Sequence, residues 1–240
     1  MPVFQRFQRD AAYDRLLALI LSGGLPADRP LSERKLAKVL DIGRTPVREA
    51  IRALAGDGVL EIRPARGTYL RGIELEELQE LYEARQMLEG QAAYFAAERG
   101  ATPELSAHRK RLETTGQAGM PKHREAVNAT AGAFHLDVLR AARNGILFDL
   151  YLPICLRFHV AAGRARHAGT DGGWAVADHL TILDAIEARA PEEARRRMAE
   201  HLARSREVMR GLLTELKHRT MRARPHGSSR QTKDTPGQAQ

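Results

Sequence analysis

Three arginines in the stretch IGRTPVREAIRAL, residues 42–54, stand at Arg44, Arg48 and Arg52. On an α-helix that i, i+4, i+8 spacing lines them along one face. Arg44 and Arg48 lie at the helix start, where the backbone dipole disfavours a cation by roughly 0.3–1 kcal/mol. An anionic ligand offsets that cost, and phosphates and base edges in a DNA major groove supply one. The competing reading is a solvated cationic face held by ion pairs, for example to Glu49.

A second set of residues suits metal or anion chemistry. His179 and His201 are 22 residues apart, with a chain reversal at ARAPEEA near residue 190 between them. Each lies roughly 16 Å along its helix from that turn at 1.5 Å per residue, so the two imidazoles reach the same height. His135, beside Phe134 on another helix, offers a third nitrogen. Three neutral imidazoles can seat one divalent ion, zinc or another first-row metal; alternatively they bind an anion directly. His108, His123, His218 and His226 read as surface residues, and His159 and His167 have no evident partner. Arg85 falls within an amphipathic stretch, so its guanidinium needs an anion: a ligand carboxylate or an acid on a neighbouring helix.

The elements that carry these groups are mostly helical. Ala, Leu, Glu and Arg dominate, aromatic residues make up 5% of the 240, and hydrophobic residues 43%. Residues 10–22 place Tyr13, Leu16, Leu17 and Ile20 on one helical face, closed by Gly23 and Gly24. Ser32 caps a second helix, ERKLAKVL, with Leu36, Ala37 and Leu40 inward. After the DIG turn, Thr45 caps a third helix with Pro46 at its first position and Val47, Ala50, Ile51 and Leu54 as its buried stripe. VLEIRP and GTYLRGI pair as a hairpin through Ala65–Arg66–Gly67. The result is a winged helix-turn-helix over residues 8–73, three helices plus a two-stranded wing. In it Arg34, Arg44, Thr45 and Arg48 face DNA, Arg63 and Arg66 sit on the wing, Gly67 permits its turn, and Arg52 meets phosphate or an internal acid.

Residues 74–217 read as an all-helical bundle of six or seven helices, making the chain mainly α. Its first helix turns Leu75, Leu78, Leu81, Tyr82, Leu88 and Ala92 inward. TTGQAGMPKH, residues 114–123, is a connector, and Asn144 ends a helix. Residues 218–240 form a basic, disordered tail.

The net charge of +8 is unevenly spread. Residues 1–72 hold 13 Lys/Arg against 8 Asp/Glu, and 217–240 hold 6 against 1, so the middle is slightly acidic. A polyanion therefore meets part of the chain. The single cysteine, Cys155, rules out an internal disulfide and fits the cytoplasm. No apolar run is long enough to span a membrane, and the N-terminus lacks the apolar core of a secretory leader.

LSERKLAKVLDIGRTPVREAIRALAGDGVLEIRPARGTYL closely resembles the DNA-binding domain of GntR-type bacterial regulators, over about residues 10–72. Gly43 departs from the pattern: the family usually has Ser or Thr there, with a hydroxyl able to contact phosphate. ELYEARQMLEGQAAYFAA, AFHLDVLRAARN and DHLTILDAIEARAPEEARRRMAEHL resemble the FadR-type effector domain, the FCD domain. That resemblance implies a homodimeric regulator whose helical cavity binds a small organic acid, often beside a metal ion. It aligns Arg85 and Asn144 with family effector-site residues. The family's Asp four residues before the first metal-binding His is Ala131 here, so a hard oxygen ligand is missing; Asn128 is seven residues from His135.

The expected function is a repressor, not an enzyme, that reads double-stranded DNA at a palindromic operator and responds to an organic acid. Two alternatives are a metal-dependent hydrolase built on the three histidines and an effector-independent architectural DNA binder. The chain has no HExxH, no GxSxG and no phosphate-cradling glycine loop.

Overall fold

The apolar stripes of the N-terminal unit close on one another as three helices and a wing. In the computed structural model, which describes residues 3–26, 29–117, 124–166 and 173–222, these are α1 (Val3–Leu21), α2 (Glu33–Leu40), α3 (Arg44–Gly56), β1 (Leu60–Arg63) and β2 (Gly67–Leu70). Ala12, Leu16 and Ile20 of α1 meet Leu36 and Leu40 of α2 and Val47, Ala50, Ile51 and Leu54 of α3, all buried. The strands pair antiparallel with Leu60 opposite Leu70 and Arg63 opposite Gly67. Leu31 ties the wing to the start of α2, its N–H donating to Thr68 O at 2.7 Å.

Local details differ from the expected caps. Ser32 caps α2 as expected, its Oγ accepting from Lys35 N at 3.4 Å. Helix α3, however, starts two residues earlier than expected. Its N-cap is Gly43, which makes no side-chain cap bond, and Thr45 lies inside the first turn. Pro46 still fits, because its missing N–H falls among the first-turn donors that have no helical partner. At the wing tip Ala65 (φ 58) and Gly67 (φ 105) both adopt the left-handed region. A side chain at Gly67 would also press on Pro30, 3.1 Å from where its Cβ would stand.

The second unit comprises α4 (Leu75–Arg99), α5 (Pro103–Gln117), α6 (Arg124–Ala141), α7 (Gly145–Arg166), α8 (Gly173–Glu187) and α9 (Pro191–Arg222). Helix α4 runs along α9, and α8 reverses into α9 at Arg189, whose φ is 56. The described connector residues up to 117 belong to α5. Helix α9 extends through Arg222, beyond the expected edge at 217; residues 223–240 lie outside the described residues. Asn144 does more than end a helix: its Oδ1 accepts from Leu147 N at 3.1 Å and so caps the start of α7.

Helix α7 belongs to both units. Tyr151 and Cys155 are part of the bundle core, whereas Leu156 and Val160 are part of the winged-helix core, with Leu152 packed against both. Arg157 on α7 and Arg71 after the wing both pair with Glu77 on α4, which adds a charged clamp at the same boundary. Leu156 is fully buried, so Leu156→Ala is expected to cost about 2–5 kcal/mol. It should loosen the N-terminal unit although it sits outside that unit. Urea unfolding followed by limited proteolysis between residues 71 and 74 checks both effects.

Candidate functional site

The exposed edge of the N-terminal unit gathers cations. Arg34, Arg44, Thr45, Arg48 and Arg52 are exposed on α2 and α3. Val47, Ala50, Ile51 and Leu54 anchor the opposite face of α3. Arg48 does not pair with Glu49. Its Nε donates to both carboxylate oxygens of Glu33 at 3.1 Å, and its Nη2 donates to Oε2 at 2.9 Å. On the wing Arg63 pairs with Glu61 at 2.8 Å and lies 4.5 Å over the Tyr69 ring. Arg66 and Gly67 are exposed at the tip. The helix start, the α2 edge and the wing thus present one basic surface, and no arginine on it is drawn into the interior.

The three sequence-predicted histidines meet inside the bundle. His135 of α6, His179 of α8 and His201 of α9 are buried, with one ring nitrogen from each lying within 4.8 Å of the others. The antiparallel register of α8 and α9 brings His179 Nε2 to 3.2 Å from His201 Nε2. Asp178 Oδ2 lies 3.3 Å from His201 Nδ1. A carboxylate can only accept, so His201 Nδ1 carries a hydrogen and its Nε2 keeps a lone pair. His179 Nε2 must then donate to it, which leaves buried His179 Nδ1 without a partner among the described residues. His135 Nδ1 likewise meets Glu89 Oε2 at 2.5 Å, leaving Nε2 with its lone pair. Two imidazoles are therefore oriented by carboxylates, as in metal sites. Asn128 and Ala131 lie on α6, but their side chains fall outside the described residues.

Burial keeps two of these rings neutral. It pushes His179 well below the usual histidine range, and the neighbouring His201 and His135 push the same way. Burial lowers His201 to about 4, against the opposing pull of the Asp178 hydrogen bond. Neutral imidazoles suit a metal better than an anion. Two nitrogens on one ion at 2.0–2.1 Å lie at most about 4.2 Å apart. The His179–His201 pair already meets that limit, and the full set needs a side-chain adjustment on the order of 1 Å. The donor set fits one zinc-like ion.

Arg85 is where sequence reasoning placed it, on the inner face of α4, and the acid it meets lies on its own helix rather than a neighbouring one. Arg85 Nε donates to Glu89 Oε1 at 2.6 Å, one turn along the same helix, with both side chains at or below 1% exposure. Burial opposes charge on both partners, but each holds the other charged. Glu89 keeps the guanidinium above its usual range, and Arg85 with His135 keeps the Glu89 carboxyl far below its own. Arg85 Nη1 is buried and has no partner among the described residues. The guanidinium carbon lies 3.9 Å from the Phe158 ring centroid. Glu89 was missed because an acid is read as exposed by default. Its signal was the i, i+4 spacing from Arg85 on a face already carrying Tyr82, Ala92 and Ala93.

Other histidines also differ from expectation. His108 is fully buried rather than a surface residue; its Nε2 meets Asp137 Oδ2 at 2.7 Å and its ring lies edge-on to Phe134. His159 does have a partner, the Cys155 carbonyl at 2.9 Å from Nδ1. His218 is exposed as expected, and His123, His167 and His226 lie outside the described residues. Asn144 caps α7 and, among the described residues, makes no hydrogen bond to the histidine cluster.

Comparison with known proteins assigns both units. Residues 8–70 match the family of bacterial regulatory proteins called gntR, and residues 80–204 match the FCD domain. A probable D-xylose utilization operon transcriptional repressor of Paenarthrobacter nicotinovorans is 32% identical over 197 residues, covering 79% of this chain and 83% of the relative. The Uxu operon transcriptional regulator of Escherichia coli is 28% identical over 207 residues, covering 74% and 76%. The solved structure of E. coli McbR/YncC shares the fold at a TM-score of 0.72 and 22% identity, covering 84% of this chain and 96% of that one. The chain therefore belongs to the GntR family with an FCD effector domain: it is a ligand-responsive, DNA-binding transcriptional regulator and not an enzyme.

Proposed function

We propose that the protein is a homodimeric repressor that reads a palindromic operator and is controlled by a small organic acid bound within the FCD bundle. The observation that carries this reading is the pairing, inside one bundle, of three convergent imidazoles with a buried guanidinium nitrogen that has no partner among the described residues. His135, His179 and His201 would hold one divalent ion, which when bound supplies positive charge and an open position for a ligand oxygen. Arg85 Nη1 supplies the matching donor for a carboxylate. The repressor named among the relatives supports the sign of control.

Arg34, Arg44, Thr45 and Arg48 contact DNA from the helix-turn-helix, and Arg63, Arg66 and Gly67 follow the backbone from the wing. Two such units in a dimer would read adjacent half-sites. Regulation requires that the acid favour one pose of the winged helix over another. Helix α7 offers the route, since Cys155 lines the bundle core and Leu156 the winged-helix core one residue apart. Among the described residues no helix is long and apolar enough to cross a membrane, which fits a protein working in the cytoplasm.

Arg48→Ala should weaken binding to a selected operator duplex by about tenfold or more in a gel shift. An unchanged gel shift contradicts the DNA assignment. Zinc at 100 times its dissociation constant should stabilise the chelator-treated protein by about 2.7 kcal/mol. His179→Ala and His201→Ala should abolish that thermal shift, and a carboxylate panel should raise it further in the wild type. The metal-free protein should lose stability as pH falls from 6.5 towards about 4, because unfolded histidine takes up a proton that buried His201 refuses. The loss is fully absent above the unfolded value, and a melting series across that window measures it.

A further inference from the structure

Glu33 stands among the arginines of the basic surface, where a carboxylate repels the phosphates that the surface is built to meet. Its pair with Arg48 is exposed, at 46% and 32% for the two side chains, and a pair so solvated adds little to folding stability. Its geometry is nonetheless specific. Arg48 Nε and Nη2 both donate to the Glu33 carboxylate, so the side edge of the guanidinium is occupied. Nη1 has no hydrogen bond among the described residues. The end edge, Nη1 with the second hydrogen of Nη2, stays free, and such a two-donor edge matches O6 and N7 of guanine in the major groove.

The carboxylate is itself held still. Glu33 is the first residue of α2, where the helix dipole favours an anion. Ser32 caps that helix and Leu31 N is bonded to Thr68 O of the wing at 2.7 Å, so the backbone entering Glu33 is fixed on both sides. Arg48 is held from the other side by buried Val47 and Ala50. The Arg48 hydrogen bond also keeps the Glu33 carboxyl below the usual carboxylate range, so it stays ionised.

Resting on the reading that Arg48 contacts DNA, we infer that Glu33 is a positioning residue that locks the side edge of Arg48 and thereby turns it into a guanine reader rather than a phosphate clamp. Glu33 gives up general attraction for DNA and gains discrimination between sequences. A rotamer-rich arginine without that lock would satisfy any nearby phosphate.

The test uses the full-length protein and two duplexes of equal length: the one most enriched by the wild type from a randomised library, and a scrambled control. For Glu33→Gln and Glu33→Ala, binding to the scrambled duplex should be equal or tighter and binding to the enriched duplex weaker. The ratio of the two affinities should drop by about tenfold, the scale of one lost bidentate base contact. Selection repeated with Glu33→Gln should lose its guanine preference at one position in each half-site. Equal tightening on both duplexes, or a ratio changed less than threefold, overturns the inference. Arg48→Ala run alongside separates the two failures. If it binds the enriched duplex as the wild type does, Arg48 does not contact DNA. If it loses binding while the Glu33 variants keep the ratio, Arg48 reads DNA without help from Glu33.

Discussion

The bundle is organised around a charge that cannot stand alone. A guanidinium as deeply buried as Arg85 is tolerated in an apolar interior only with an anion in contact, and Glu89 on the next turn of α4 is that anion. Glu89 then fixes the ring of His135 through its second oxygen, which links the ion pair to the histidine cluster. Phe134 stacks on His179 with ring centroids 4.2 Å apart, and His179 reaches His201. Four helices are thus joined by one polar network. Such a network is costly where it is incompletely satisfied, and its unpartnered atoms, Arg85 Nη1 and His179 Nδ1, are the ones a ligand or a change of tautomer would engage.

That network lies close to the DNA-reading half because α7 serves both cores. Ile146 and Leu150 near its start are exposed, but from Tyr151 to Val160 the helix packs into both cores. Its bundle-facing residues stand near Arg85, where Phe158 covers the guanidinium. Its opposite residues complete the hydrophobic core beneath α1 and α3. A shift of α7 by a fraction of a turn would be felt on both sides, since close-packed interiors repack rather than stretch.

Much of this was legible before any coordinates. The stripes of α1, α2 and α3 follow the helical period, and the turn at residues 188–190 set His179 against His201 by arithmetic alone. What stayed hidden has physical reasons. Glu89 and Asp178 also orient histidines of other helices, His135 and His201, and periodicity does not encode those contacts. His108 was read as a surface residue because its acceptor, Asp137, lies 29 positions away. The Thr45 cap failed because Gly43 can extend the chain at φ −60, ψ 153 and start the helix two residues sooner. The dual membership of α7 was not visible, because apolar residues such as Cys155 and Leu156 do not say which core each one joins.

The central claim is that the histidine cluster and the winged helix are physically coupled through α7. Hydrogen exchange of the intact chain, with and without saturating zinc, measures this directly. The account predicts added protection not only along α6, α8 and α9 but also across residues 152–160 of α7 and residues 12–20 of α1. Protection confined to the three histidine-bearing helices, with α7 and α1 exchanging as before, would contradict it.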